Sequence, residues 1–280
     1  MKLRWLAPLA VLFLAVAALL APADSAPRAA ADHNSLHGKI IALDAGHGGT
    51  ELGATYPADS GLEADVYEKD VNLAVVYELK EKLTAAGAQV VLTREGDQTI
   101  SSRKQRVDIA IEKCKKVPDE GRKCDALISV HHNGSTDPSY DGLLVIYNEK
   151  QDLPLANAIH DALWSGLYEL YDPPPPGTPV DEGLDHGGYG MTVYGRLVSV
   201  LTEAYYITNT WEADQYSAGT PTDICDAHDE NCTVVRLGAR TDQEADALLE
   251  GLANYFTSDG DNGGGGNGCP PGNPNHRKCS

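Results

Sequence analysis

The chain has 280 residues, a formal net charge of −19, six cysteines and 42% hydrophobic residues. That apolar share can fill one substantial core, and the acidic balance argues against nucleic acid and anionic lipid as partners, because both are polyanions. A polymer bound through sugars and amides remains compatible with it.

Lys2 and Arg4 precede an apolar run from Leu6 to Leu20, which is too short and too asymmetrically flanked for a membrane span. It reads as a signal peptide over 1–23, with Ala21 and Ala23 forming an A-x-A cleavage pair; cutting after Ala26 would leave Pro27 at the new terminus. Removal takes two basic residues and no acid, so the charge becomes −21. The run is followed by neither a lipid-bearing cysteine nor a second long apolar stretch. The expectation is a secreted protein, in the periplasm, the cell wall or the medium, with no membrane anchor. Residues 24–38 read as an N-terminal extension, 39–257 as a single catalytic domain, and 258–280 as a Gly-rich linker with a short cysteine-containing tail.

Lys39-Ile-Ile-Ala-Leu-Asp-Ala predicts a buried strand, followed by a Gly-, Pro- and Asp-rich loop to about Tyr67. Val71, Ala74, Val75, Leu79, Leu83 and Ala86 recur at helical spacing and stop at Gly87, a natural terminator. Gln89-Val-Val-Leu-Thr-Arg is the next strand. Ser101 or Ser102 can cap a helix carrying Val107, Ala110, Ile111 and Cys114, and Ala126-Leu-Ile-Ser-Val-His returns to β character. Gly142-Leu-Leu-Val-Ile-Tyr is a strand. Ala156, Ile159, Leu163, Leu167 and Leu170 mark a helix ending before the stiff run Pro173 to Pro176. Ser199-Val-Leu-Thr-Glu-Ala-Tyr-Tyr is a further strand, and Ala245, Leu248, Leu249, Leu252 and Phe256 mark a closing helix. This alternation predicts an α/β fold, a mostly parallel central sheet with helices on both faces.

In an oxidising compartment the cysteines are expected to pair locally, Cys114 with Cys124, Cys225 with Cys232 and Cys269 with Cys279. No C-x-x-C pair is present to favour thiolate zinc binding instead.

Ligand sites in such sheets lie beyond the carboxyl ends of the strands. There the first strand runs into Asp44-Ala-Gly-His47-Gly-Gly, the third into Ser129-Val-His131-His132-Asn133, and the last contains Leu201-Thr-Glu203; Glu68 stands just before the first long helix. Two histidines and a carboxylate with room for water form the set used by hydrolytic zinc sites, and a second carboxylate can manage protons. His131 and His132 point to opposite faces of a regular strand, so at most one can reach a given metal. Glu63 and Asp65 compete with Glu68 on chemistry alone. His160 reads as a surface or packing residue. His33, His37, His228 and His276 lie in loops or tails, and His186 is placed where it could touch a substrate.

These segments resemble the zinc-dependent N-acetylmuramoyl-L-alanine amidases of the amidase 3 type over most of 39–256. Ile41-Ala-Leu-Asp-Ala-Gly-His-Gly-Gly is similar to the first zinc motif, Glu68-Lys-Asp-Val-Asn-Leu to the second, and Leu127-Ile-Ser-Val-His-His-Asn-Gly to the third. Thr93-Arg and Arg106-Val-Asp-Ile-Ala fall between them in the family's order, and Ser199-Val-Leu-Thr-Glu-Ala-Tyr-Tyr-Ile-Thr-Asn resembles the segment with the catalytic glutamate. The resemblance implies Zn²⁺ held by His47, Glu68 and His131, resolving the histidine doublet, and Glu203 as acid/base. It implies hydrolysis of the bond between N-acetylmuramic acid and L-alanine in peptidoglycan by a monomer; no activator protein is identified. The chain departs from the pattern at His132, where a small residue is usual, at Ala204-Tyr205, where Gly-Phe is usual, and in Val180-Asp-Glu-Gly-Leu, which lacks an arginine before the glycine. The rival readings are a catalytically silent wall-binding protein and a zinc peptidase acting on stem-peptide cross-links.

Overall fold

The computed structural model describes residues 33–117, 123–169, 175–188, 190–194, 197–225 and 232–261, with side chains to Ser258. The signal-peptide segment, His228, His276 and the pair Cys269 with Cys279 lie outside these residues. The described residues form β1 (Ile40–Ala45), β2 (Thr55–Tyr56), β3 (Val66–Tyr67), α1 (Glu68–Ala85), β4 (Gln89–Leu92), α2 (Arg103–Lys115), β5 (Ala126–Asn133), β6 (Gly142–Tyr147), α3 (Leu153–Trp164), β7 (Val180–His186), β8 (Ser199–Tyr206), α4 (Thr210–Ser217), β9 (Thr220–Cys225), β10 (Cys232–Leu237) and α5 (Ala239–Asp261).

The main sheet has the order β4-β1-β5-β8-β6-β7. β4, β1, β5 and β8 are mutually parallel, β6 pairs antiparallel with β8, and β7 runs parallel with β6. Every residue of β1 is buried, because alternate side chains enter different cores. Ile41, Leu43 and Ala45 join α1, α3 and α5 on one face; Ile40 and Ala42 join Val107 and Ala110 of α2 on the other. That double coverage explains an unbroken apolar run where a one-sided strand would alternate.

The terminators act as read. Gly87 follows α1 with φ +85° and donates its N–H to the Thr84 carbonyl at 3.0 Å. Of the two candidate caps of α2, Ser102 accepts from the Gln105 N–H at 3.2 Å. The described disulfides join Cys114 to Cys124 and Cys225 to Cys232, the latter directly opposite one another on the β9–β10 hairpin.

Three features differ from the sequence reading. α3 is regular only to Trp164 and continues as a single π turn, Ser165–Glu169, that still buries Leu167; Leu170 lies outside the described residues. β7 occupies a stretch without apolar alternation, because it is the sheet's edge strand and carries polar residues. A turn at His33–Leu36 packs on α5 and buries Leu36 completely, so the folded unit begins before Lys39.

Candidate active site

After β1 the chain turns through Gly46-His47-Gly48-Gly49, and His47 itself has φ +57°, uncommon for a residue with a side chain. Two buried arginines hold this turn. Arg94 donates to the carbonyls of Ala45 at 2.8 Å and Gly46 at 2.9 Å, while Arg106 donates to Ala45 at 2.8 Å and to the His47 carbonyl. Beneath them lies fully buried Asp44, which accepts from Arg106 at 2.9 Å, from the Ser129 hydroxyl at 2.7 Å and from Thr93. Burial alone would raise its carboxyl; the Arg106 charge and the hydrogen bonds hold it below the ordinary range. The Thr93-Arg94 and Arg106 segments are therefore the mount on which His47 sits.

Glu68 opens α1 and is buried. Its Oε2 accepts from the Ala54 N–H at 2.8 Å, and its Oε1 from Asn72 Nδ2 and the His132 N–H, both at 3.2 Å. His47 Nε2 lies 3.1 Å from Oε2 and His131 Nδ1 lies 3.0 Å from Oε1. The two rings meet edge to face with centroids 4.9 Å apart. One ligand atom from each of the three residues falls within 4.8 Å of the others. Burial pushes the Glu68 carboxyl up, but the hydrogen bonds and charge of His131 and His47 outweigh it and leave it well below the usual range.

Two glycines make this convergence sterically possible. A Cβ on Gly46 would stand 2.3 Å from Cε1 of His131, and one on Gly53, where φ is +73°, would stand 2.2 Å from Oε2 of Glu68. Glu63 and Asp65, the competitors of Glu68, are both exposed and stand outside the cluster.

The neighbouring histidines do face opposite ways. His132 is buried, with Nδ1 2.7 Å from Asn72 Oδ1 and Nε2 2.9 Å from Glu244 Oε2 on α5, so it serves the core. His160 is also buried and paired, 2.8 Å from Asp181, which fits the packing reading. His186 is exposed on β7, where Nε2 donates to the Asn148 carbonyl at 2.8 Å.

Glu203 is the register partner of His131 in the β5–β8 ladder. The ladder slips between His131 and Asn133, giving β8 one extra residue, so that Glu203 and Tyr206 stand opposite His131 and Asn133. Oε2 of Glu203 is buried and has no hydrogen-bond partner among the described residues. Burial first, then the charges of Glu68 and Glu182, push its carboxyl well above the ordinary range. Glu182 lies in the segment that the sequence marked only for lacking an arginine, with no role given to the glutamate. Its Oε1 accepts from the Tyr206 hydroxyl at 2.6 Å and the Tyr140 hydroxyl at 3.4 Å, and Asn133 Nδ2 donates to the Tyr206 oxygen at 3.1 Å. Only its place on a strand, invisible in an unpatterned segment, brings it here.

Two imidazoles and a buried carboxylate, converging without filling a fourth position, suit a divalent ion used for hydrolysis. Residues 41–220 match the family described as N-acetylmuramoyl-L-alanine amidase, amidase 3 type. The chain belongs to this family. The amidase is 27% identical over 227 residues to the uncharacterized protein YqiI of Bacillus subtilis, covering 79% of this chain and 86% of that protein. It is 26% identical over 225 residues to the probable cell wall amidase LytH of Staphylococcus epidermidis, covering 80% of this chain but 61% of LytH. The catalytic domain of CwlV, an amidase from Bacillus (Paenibacillus) polymyxa var. colistinus, superposes with a TM-score of 0.57 at 24% identity, covering 78% of the amidase and 98% of that domain. The likeness to CwlV supports the fold; family membership rests on the sequence match.

Proposed function

We propose that the chain is a secreted wall hydrolase that cleaves the amide between N-acetylmuramic acid and L-alanine of peptidoglycan, with Zn²⁺ held by His47, Glu68 and His131. Family membership supplies the bond, and the converging cluster supplies the metal site. Zinc bound there would polarise the lactyl carbonyl and lower the pKa of its water towards about 7.

The remaining chemistry falls to Glu203. An ionised carboxylate at that position takes the proton from the attacking water and returns it to the departing amine of L-alanine, first as base and then as acid. Oε2 can do so because no donor among the described residues occupies it. Burial and the charges of Glu68 and Glu182 raise its proton affinity, which suits the acid half of the cycle, while a divalent cation bound beside it would oppose that rise and favour the ionised form that the base half needs. Arg94, Arg106 and Asp44 keep the His47 turn rigid, which fixes one ligand without touching substrate.

The carrying observation is the one cluster of two histidines and a glutamate among the described residues, beside a glutamate on the next strand whose buried Oε2 has no hydrogen-bond partner among them. Digestion of purified peptidoglycan and mass spectrometry of the products tests it. Stem peptides with a free L-alanine amine and glycan strands with unsubstituted lactyl carboxylates are expected. Products severed only within or between stem peptides would replace this reading with that of a peptidase, and undigested wall that retains bound protein with that of a binding module.

A further inference from the structure

The wall beside Glu203 carries a carboxylate that the hydrolytic step does not use. Glu203 pairs with Leu144 of β6, and Leu144 pairs with Gly183 of β7, where the register shifts so that Glu182 is the extra residue. Two strand spacings, about 10 Å, therefore separate the backbones at Glu203 and Glu182. Glu182 is only half-buried. Its Oε1 is occupied by the Tyr206 and Tyr140 hydroxyls, and its Oε2 makes no hydrogen bond among the described residues. The Tyr140 and Tyr206 rings meet edge to face with centroids 4.8 Å apart, so two aromatic rings flank the carboxylate on its Oε1 side. Burial and the hydrogen bond to Glu182 push the Tyr206 hydroxyl up, so it remains a donor to Oε1.

We infer that Glu182, with Tyr140 and Tyr206, forms a specificity subsite for a nitrogen donor of the stem peptide, a carboxamide or ammonium group, and rejects a carboxylate there. An anionic oxygen with aromatic flanks complements N–H donors and cations, and it repels a second anion across a short, partly desolvated gap. Extended peptide covers about 3.5 Å per residue, so the Glu182 carboxylate, two strands from Glu203, is within reach of the two or three residues that follow the scissile amide. Peptidoglycan stems offer two suitable groups there: the α-carboxyl position of the second residue, which exists as carboxylate or carboxamide, and the side-chain amine of the third. The inference rests on the amidase reading and adds its substrate preference.

The test compares two pairs of muramoyl peptides, one differing only as carboxamide against carboxylate at residue two, the other as free against acetylated amine at residue three. For the wild type, kcat/KM is expected to favour the nitrogen-donor member of at least one pair by roughly tenfold or more, mainly through KM, and the pair that responds identifies the group. Glu182→Gln keeps an acceptor for both tyrosines but removes the charge, and should shrink that ratio to near one. Glu182→Arg should invert it if residue two is the source. Calorimetric binding of the corresponding stem peptides to wild type and Glu182→Gln gives a readout independent of turnover. Binding that discriminates without cleavage would retain the subsite and sink the amidase reading. Equal treatment of both members of both pairs, or discrimination that survives in Glu182→Gln, would overturn the subsite even if every substrate is cleaved.

Discussion

Gly46→Ala isolates the metal site from the fold. A Cβ there would lie 2.3, 2.4 and 2.6 Å from Cε1, Nε2 and Nδ1 of His131, so it meets the face of the whole imidazole and not one flexible end. Ordinary carbon contacts begin near 3.5 Å, so the ring must retreat by about 1 Å. Ligand distances in a metal site tolerate only about 0.2 Å, and disturbing groups behind the ligands already weakens affinity by about 10- to 100-fold. Displacing a ligand itself should cost at least about 100-fold. Gly46 is not among the glycines with positive φ, and its carbonyl contacts with Arg94 and Asn72 do not involve the new methyl group. The backbone therefore accepts alanine, and the steric cost to the metal-free fold should stay near 1–3 kcal/mol. Competition titration against a chromophoric zinc chelator, with circular dichroism of the chelated protein, measures both. Wild-type zinc affinity in Gly46→Ala would show that His131 is not a ligand, and loss of the folded spectrum would show that the glycine serves the backbone.

Four other outcomes follow from the structure. Glu203→Gln should bind zinc as the wild type does and lose roughly 10²-fold or more in release of stem peptides, the usual scale for a positioned acid/base; zinc loss in this variant would make Glu203 a ligand. The raised carboxyl of Glu203 contributes stability that is complete below the ordinary carboxylate range, about 4, and lost as pH rises through its folded value, so the chelated wild type should fall in thermal stability relative to Glu203→Gln as pH increases, and parallel curves would refute that. His132→Ala strands the buried Glu244 carboxylate and should cost about 3–5 kcal/mol while the folded fraction keeps its zinc, whereas His131→Ala should lose zinc; equal metal loss in denaturant-titrated, metal-analysed samples would contradict this division. Replacing Cys114 and Cys124 together with alanine should lower unfolding free energy by about 3 kcal/mol in denaturant titration, as expected for releasing a short loop, and no change on reduction would refute the contribution.

The sheet and the candidate ligand cluster were legible because each left a local signal. β1 is an unbroken apolar run, α1 keeps helical spacing up to Gly87, and His47 lies between glycines at a strand end. Pleat alone predicted that His131 and His132 part company; which of them faces Glu68 came from the family resemblance, and the geometry agrees. β7, α4 and the β9–β10 hairpin were not legible, since their residues are chosen by neighbours distant in sequence. Glu182 makes sense only beside Tyr206, 24 positions away, and Thr233 of β10 accepts from the Asp97 N–H across 136 positions. The role of His132 was hidden for the same reason: its partner Glu244 lies on the closing helix, 112 residues later.

The extra residue in β8 connects these two kinds of information. In an unbroken ladder, His132 would face one residue of β8 and Tyr206 would fall on the face opposite Glu203. The slip instead assigns Ala204 and Tyr205 together to the stretch opposite His132, where Tyr205 lies against the His132 ring with centroids 4.2 Å apart. Glu203 and Tyr206 are thereby brought to the same side, one beside the His47, Glu68 and His131 cluster and the other holding Glu182. An aromatic residue at Tyr205 and a histidine at His132 are thus two halves of one packing solution in the core, and both are positions where the chain departs from its family's usual residues. Substitutions at either should accordingly register first in stability, because neither ring contributes an atom to the ligand cluster.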